Sequence, residues 1–503
     1  MALSEPKFLP ILCHGLSKFD GRLILSGVGK YGHKNIRVLP QSVDTYVAIM
    51  IGKCRYLDSK RFLNASLDSL VESAASENGP QAFEHLSRFV QRESLGLFLR
   101  KQPFCYDYLD GPEKLAETAL PSKNAFFDRI NEIEISDGDY QHVQTLWKTM
   151  EFNTLKDFLE TYLLSNVLLL ADVLSIFRKT MIETFRLDPM QYFSLSGYSF
   201  DCALRHTETK LELLTDLEMH QMLESNIRGG LATVGSPRYA KANHPEMPAD
   251  EYDPGRPTKF IHFFDFNGLY TSVMKNHLLP THGFRWLTES ELENFDLMSI
   301  SRDADHGYII ECDLDYPAEL HDAQDSFPFA PEHIRIDSED LSDYTRSLVD
   351  HCGIGLESLR DIRKLCLTLN DKRHYVAHYL NLQFYIKHGL ILKKIHRVIR
   401  FTQSPWLDGF MSELADKRRD AKSKFYGTMY KSIPNSIYGR LNIYTMFIVN
   451  IRKLPVISRG YFNACCIFLL SHNSEKISVT SKISVDRDQT LSFSVASDQG
   501  LPC

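Results

Sequence analysis

Phe260-Ile261-His262-Phe263-Phe264 is a continuous apolar and aromatic run closed by Asp265, and it constrains the fold of this chain more than any other feature. The run is short enough for a strand, and aromatic and β-branched side chains favour the extended state. With apolar side chains on both faces, the strand is expected to be buried. Asp265 would then sit at its end, followed by a turn at Asn267-Gly268 and by Tyr270. A carboxylate so placed suits metal-bound phosphates, because strand-end carboxylates hold the Mg2+ ions that neutralise a triphosphate and acidify an attacking hydroxyl. By itself an Asp closing a strand is more often an ordinary turn residue, so the run alone does not establish a metal site.

A chain of 503 residues exceeds one ordinary core, and roughly two to four packed units are expected. Apolar residues at 43% and charged residues at 24% describe a folded protein and exclude a disordered acidic tail or a collagen-like repeat. The formal net charge of -7 excludes a protein that coats nucleic acid through global charge, so such contacts must come from local basic stretches. One stretch holds Lys387, His388, Lys393, Lys394, His396, Arg397 and Arg400; another holds Lys417, Arg418, Arg419, Lys422, Lys424 and Lys431. Solvated helix faces would look the same. The ten cysteines are scattered without a C-x-x-C pair, which fits free thiols in a reducing compartment. The amino terminus does not read as a signal peptide, and no apolar run is expected to span a bilayer. An intracellular location without a membrane partner follows as an expectation.

Short apolar runs such as Arg22-Leu23-Ile24-Leu25 and Tyr46-Val47-Ala48-Ile49-Met50, separated by Gly and polar breaks, favour strands and hairpins over residues 11–60. Apolar spacing through Phe158, Leu159, Tyr162 and Leu163, then Val167 to Phe177, predicts a long buried helix entered after Asn153-Thr154. Prolines at 237, 245, 248, 254 and 257 make residues 235–257 a loop. Residues 307–314 read as a strand and residues 411–430 as a charged helix. The stretch from Ser471 is rich in serine without a core-forming pattern. Gly27-Val28-Gly29-Lys30-Tyr31-Gly32 fits G-x-G-x-x-G, but a dinucleotide site needs a helix to start there, and the following Asn35-Ile36-Arg37-Val38-Leu39-Pro40 reads extended.

Lys431-Ser432-Ile433-Pro434-Asn435-Ser436-Ile437-Tyr438-Gly439-Arg440 changes the balance for Asp265. Lys431, Asn435 and Tyr438 recur at near-helical spacing, so one helix face presents a cation, an amide and a phenol, which suits a triphosphate and its base. Pro434 inside that helix removes an N–H and crowds the preceding turn, at about 3 kcal/mol, and is expected to kink it. D-x-N-x-L-Y followed far downstream by K-x-x-x-N-S-x-Y-G resembles motifs A and B of family B DNA polymerases. The likeness is to the protein-primed branch, especially polymerases of Maverick/Polinton mobile elements and their viral relatives, and covers most of residues 10–441. Ile227-Arg228-Gly229-Gly230 with Arg238-Tyr239-Ala240-Lys241-Ala242-Asn243 is similar to the family's Y-x-G-G region, with isoleucine for tyrosine. Leu392-Lys393-Lys394-Ile395-His396-Arg397 and Gln403-Ser404-Pro405-Trp406 are similar to the family as well.

The resemblance implies a mixed α/β (α+β) fold: an exonuclease-like, ribonuclease-H-type domain over residues 1–205, a partial right-hand polymerase palm with fingers over 206–445, and a divergent tail over 446–503. It implies Asp265 as catalytic residue and metal ligand, Tyr270 under the sugar, Lys431 on the triphosphate, and Asn435 and Tyr438 lining the nascent base pair. Arg228, Gly229 and Gly230 would track the template, with Lys393, Lys394 and Arg397 as further DNA contacts. Implied partners are a DNA template-primer, deoxynucleoside triphosphates, a terminal-protein primer and Mg2+.

The chain departs from the pattern in three further places. No Y-x-D-T-D motif occurs; the nearest string is Val485-Asp486-Arg487-Asp488-Gln489-Thr490. Asp265 alone cannot clamp two Mg2+ ions, so polymerase activity is expected to be weak or absent. Cys13-His14-Gly15-Leu16-Ser17-Lys18-Phe19-Asp20 matches the second exonuclease motif with Gly15 for asparagine. Tyr162-Leu163-Leu164-Ser165-Asn166 matches the third with Asn166 for aspartate. A neutral amide is a weak Mg2+ ligand, so Asp20, Tyr162 and Asn166 read as the remnant of a proofreading site. The rival readings are a non-catalytic DNA-binding remnant and an interaction scaffold.

Overall fold

A computed structural model of the chain describes residues 8–17, 20–30, 35–42, 45–233, 239–336, 339, 341–353, 363–421 and 423–441. In chain order its longer elements are β1 (Leu9–Cys13), α1 (Asp20–Lys30), β2 (Ile36–Pro40), β3 (Tyr46–Ile51), β4 (Cys54–Asp58), α2 (Leu67–Asn78), α3 (Asp137–Thr149), α4 (Leu155–Phe185), α5 (Leu195–Thr207) and α6 (Leu217–Ser225). They continue with α7 (Leu269–Asn276), β5 (Leu279–Trp286), β6 (His306–Asp315), β7 (Glu332–Arg335), α8 (Asp343–His351), β8 (Arg363–Cys366), β9 (Lys372–His378), α9 (Tyr379–Lys387), β10 (Ile391–Ser404), α10 (Asp408–Arg419) and α11 (Lys424–Leu441). Among the described residues two compact units emerge, the first from within 8–213, 270–279 and 405–441, the second from within 214–269 and 280–404. The helix carrying Lys431, Asn435 and Tyr438 thus belongs with the amino-terminal unit, and the division is not linear in sequence.

The first unit holds a four-stranded sheet in the order β1-β4-β3-β2. β1 runs parallel to β4, pairing Cys13 with Asp58 at the end of both strands, while β4 and β3, and β3 and β2, are antiparallel hairpins. The same unit contains the 31-residue helix α4. Thr154 starts it with a capping box: its side chain accepts from Asp157 N, and the Asp157 carboxylate accepts from Thr154 N, a cap worth about 1 kcal/mol. Leu155, Phe158, Tyr162, Leu169, Val173, Phe177 and Met181 recur every three, four or seven residues and are buried, so the helix exists because one stripe is core. Arg186, in the left-handed region at φ 58°, ends it by donating its N–H to Ile182 O.

In the second unit the sheet order is β5-β10-β6-β9, with β6 antiparallel to both neighbours. On one face Ile309, Val376, Ile399 and Phe401 pack against Met219, Met222 and Leu223 of α6; on the other Ile310, Cys312 and Leu314 are buried. Further along the first face Glu311, Asp313 and Asp315 replace the apolar side chains, as strand alternation requires. Lys372 of β9 is fully buried, its ammonium donating to Glu332 Oε1 at 2.7 Å, Thr368 Oγ1 at 2.6 Å and Thr368 O at 3.1 Å.

Several expectations need correction. Arg22-Leu23-Ile24-Leu25 lies inside helix α1, not in a strand; the glycines at 27 and 29 therefore fall at a helix end, where no amino-terminal N–H groups are free for a pyrophosphate. The run 260–264 is neither buried nor a strand: Phe260, Ile261, Phe263 and Phe264 are 49, 61, 95 and 67% exposed. Beyond a bridge between Asn243 and Lys259, its backbone pairs with no described residue. Its apolar content predicted burial, but a strand is buried only when neighbours supply hydrogen bonds on its edges. The charged helix expected at 411–430 is two helices, α10 and α11, broken at 420–423. α11 continues through a buried Pro434 from Lys424 to Leu441. Helix α4 is long and apolar enough to cross a membrane by length and composition, contrary to expectation, although its buried stripe is the core of this unit. Arg238, Lys422, the Val485-Asp486-Arg487-Asp488 string and the tail lie outside the described residues.

Candidate nucleotidyl-transfer site

α11 carries the second motif on a clean amphipathic frame. Phe425, Met429, Ile433 and Ile437 are buried, so the helix must turn Lys424, Thr428, Lys431 and Asn435 outward, and all four are exposed. Tyr438 continues that outer stripe one turn later. Its ring stacks on Tyr270 of α7, with centroids 4.2 Å apart and planes inclined by 21°. Two tyrosines singled out separately in the sequence are therefore in direct contact within the first unit. The turn leading into α7 depends on Gly268, whose φ of +70° a side chain would disfavour.

Asp265 belongs to the second unit, five residues before Tyr270, at the end of the bare run 260–264. Its side chain is exposed and makes no ion pair among the described residues. No three His, Cys, Asp or Glu side chains gather to hold a metal ion among the described residues. A lone exposed carboxylate does not by itself fill the near-octahedral oxygen shell that Mg2+ requires.

The residues expected on DNA divide into two kinds. Arg228 is buried: Nη1 donates to Val376 O at 2.8 Å and the guanidinium lies 4.1 Å from the ring centre of Tyr375. It fastens the 227–230 segment to β9. Gly229 and Gly230 are exposed, and a Cβ added to either would meet nothing within 4 Å. Arg397 and Lys393 sit on the acidic end of the second sheet. Arg397 Nε donates to Glu311 Oε2 at 2.6 Å, and Lys393 Nζ lies 3.0 Å from Asp315 Oδ2. His374 Nδ1 bonds Glu311 Oε1 at 3.0 Å and its ring stacks on His396 at 4.1 Å. His396 Nε2 lies 2.9 Å from Asp313 Oδ1. Burial raises the Glu311 carboxyl, but Arg397 and His374 outweigh it and hold the group below its usual range. Lys394 is exposed and makes no ion pair among the described residues.

Sequence reasoning passed over Asp58, which organises the exonuclease-like motif. Its carboxylate accepts from Gly15 N, Ser17 N, Ser17 Oγ and Lys60 N at 2.8–3.0 Å. Burial works to raise this carboxyl, and the four donors pull it below the usual range. An Asp at the end of Cys54-Arg55-Tyr56-Leu57 was the available signal. Asp20 opens helix α1. Tyr162 is buried, stacks on Phe104 with centroids 5.0 Å apart and shares a hydroxyl hydrogen bond with Tyr106. One turn on, Asn166 Oδ1 is buried without a hydrogen-bond partner among the described residues.

Residues 3–447 match the family model of DNA polymerase type B, organellar and viral. A probable DNA polymerase of Ascobolus immersus is 26% identical over 280 residues, 53% of this chain and 20% of that protein. Among solved structures, Phi29 DNA polymerase complexed with primer-template DNA and incoming nucleotide substrates aligns with a TM-score of 0.47 and 13% identity, over 86% of this chain and 59% of that one. An orthorhombic crystal form of Phi29 DNA polymerase gives 0.44 and 12% over the same shares. The chain thus spans about a fifth of the curated relative and three fifths of the Phi29 chain. The family generally uses divalent metal ions. With the match covering most of the chain and both motifs, this chain belongs to the type B DNA polymerases of organellar and viral kind.

Proposed function

We propose that this chain is part of a protein-primed, DNA-directed DNA polymerase, and that by itself it binds primer-template DNA but transfers deoxynucleotides weakly or not at all. The observation that carries the reading is the stack of Tyr270 on Tyr438, since the motif A and motif B side chains meant to enclose a nucleotide already meet. Tyr270 would lie under the deoxyribose, Lys431 would bind the triphosphate, and Asn435 and Tyr438 would line the base pair. Gly229 and Gly230 support a close approach of template backbone, because no contact among the described residues requires them to lack a Cβ. Asp265 would contribute one carboxylate towards Mg2+, and a terminal protein would supply the priming hydroxyl. The seven free thiols among the described residues suit an intracellular setting. Exposure of the segment bearing Asp265 favours, as a second reading, a DNA-binding remnant without chemistry.

Primer extension in Mg2+ by the purified chain, with Asp265→Ala as control and a gel shift over a salt series, tests this. Salt-sensitive DNA binding with at most trace, Asp265-dependent incorporation is expected. Vigorous incorporation abolished by the substitution would show that a second carboxylate completes the site. Failure to bind either DNA or deoxynucleotide would remove the reading.

A further inference from the structure

Helix α11 bears the second motif, and its pose decides where Lys431 and Asn435 are presented. The helix packs against α5, α10 and α2, with Phe425, Met429, Ile433 and Ile437 buried. Apolar packing is non-directional, so such a stripe holds a helix down more firmly than it fixes its roll. A roll of about 20° would carry a side chain roughly 6 Å from the axis through about 2 Å. Pro434 loosens the same helix, because it removes the N–H that would bond Tyr430 O just where the motif lies.

Tyr426, in the first turn of α11, supplies a directional contact. Its hydroxyl donates to Asn78 Oδ1 at 3.1 Å, across 348 positions of sequence. Both ends of this bond are held by other contacts. Asn78, the last residue of α2, donates from Nδ2 to Ala74 O at 3.0 Å, and its carbonyl accepts from Gln81 Nε2 at 2.8 Å. Ala74 is fully buried, so the amide that meets Tyr426 is tied to the core. Ser423 opens α11, its carbonyl accepting from Gly427 N at 3.0 Å and its hydroxyl from Tyr426 N at 3.4 Å. A bond between groups already in place costs little ordering, and its geometry is strict.

We propose that Asn78 and Tyr426 are positioning residues, whose hydrogen bond fixes the roll of α11 and so sets where Lys431 and Asn435 meet an incoming deoxynucleoside triphosphate. Neither touches the nucleotide. Tyr426 precedes Lys431 by five positions on the same helix, so a displaced first turn is passed directly to the motif, and a misplacement of about 1 Å is enough to cost much of a site's function. The amino-terminal region that resembles an exonuclease, with Asn166 where its motif carries a carboxylate, then has a use apart from proofreading. It is the seat of the nucleotide-binding helix. The inference rests on the polymerase reading for what α11 holds, and on the bond between α2 and α11 for how it is held.

The test is binding of a fluorescent deoxyadenosine triphosphate analogue to the full chain with primer-template DNA in Mg2+, with thermal unfolding of the same samples. Tyr426→Phe keeps the ring and removes only the hydroxyl; Asn78→Ala removes the acceptor. Each is expected to raise the nucleotide Kd by about fivefold. The double variant should be no worse than either single one, since all three lose the same bond. Asn78→Asp, which keeps an acceptor for the hydroxyl, should lie closer to wild type than Asn78→Ala. Tm of Tyr426→Phe should stay within about 3 °C of wild type, whereas a merely structural role would lower Tm and leave the Kd of the folded chain unchanged. A Kd indifferent to Tyr426→Phe, or penalties that add in the double variant, overturns the proposal alone. A wild-type chain that binds no nucleotide removes the polymerase reading and this role with it.

Discussion

His306–Asp315 and the run 260–265 end alike, in an Asp after apolar residues, yet they meet opposite fates. β6 has β10 and β9 hydrogen-bonded to its two edges and apolar side chains buried on both faces. The run 260–265 is the more aromatic of the two, and Phe263 within it is 95% exposed. Burial of a strand is therefore a property of its neighbours before it is a property of its composition. Hydrophobicity pulls a segment inward only if its backbone polar groups can be satisfied there, and an unpaired buried donor or acceptor costs about 1–3 kcal/mol.

Substitutions along the two segments should separate them sharply. Ile310→Ala in β6 removes a fully buried side chain and should lower unfolding free energy by about 3 kcal/mol in urea titrations; a loss under 1 kcal/mol would mean the sheet core is less packed than it looks. The acid limb should come next. Because Glu311 sits below its usual carboxylate range when folded, the stability it contributes is present above the unfolded value and lost as pH falls through the depressed folded one. Unfolding midpoints measured from pH 6 down to 3 should therefore fall less steeply in Glu311→Gln than in wild type, and parallel curves would remove Glu311 as a contributor. Phe263→Ala, in dilute solution, should change stability by no more than about 0.5 kcal/mol. A larger loss would show that the run 260–265 packs after all.

The legible parts of the sequence were those whose signal is local. The polar pair Asn153-Thr154 announced the start of α4, and the apolar stripe from Phe158 to Phe177 announced its buried face. Residues 307–314 read correctly as a strand, and the spacing of Lys431, Asn435 and Tyr438 correctly placed them along one helix face, of which Lys431 and Asn435 are exposed. What failed needed partners distant in sequence. Arg22-Leu23-Ile24-Leu25 has too few residues for its period to be read and could serve either state. Lys393 and Arg397 looked like free cations because Asp315 and Glu311, which engage them, arrive from another strand. Arg228 likewise gave no sign that it would be buried against β9. The contact of Tyr270 with Tyr438 joins residues 168 positions apart, beyond the reach of any local pattern.

One feature of the first unit governs how that unit should come apart. A 31-residue helix is roughly 46 Å long, and α4 is tied at successive points along that length. Near its start Leu155 N donates to Glu117 O; midway Asp172 accepts from His85 N and Leu86 N; towards its end Met181 O accepts from the Tyr198 hydroxyl. Loops and helices from three separate stretches of chain thus hang on a single rod, and none can detach fully without stripping part of it. The rod makes these pieces one cooperative block, whose central amides open only when the whole unit does.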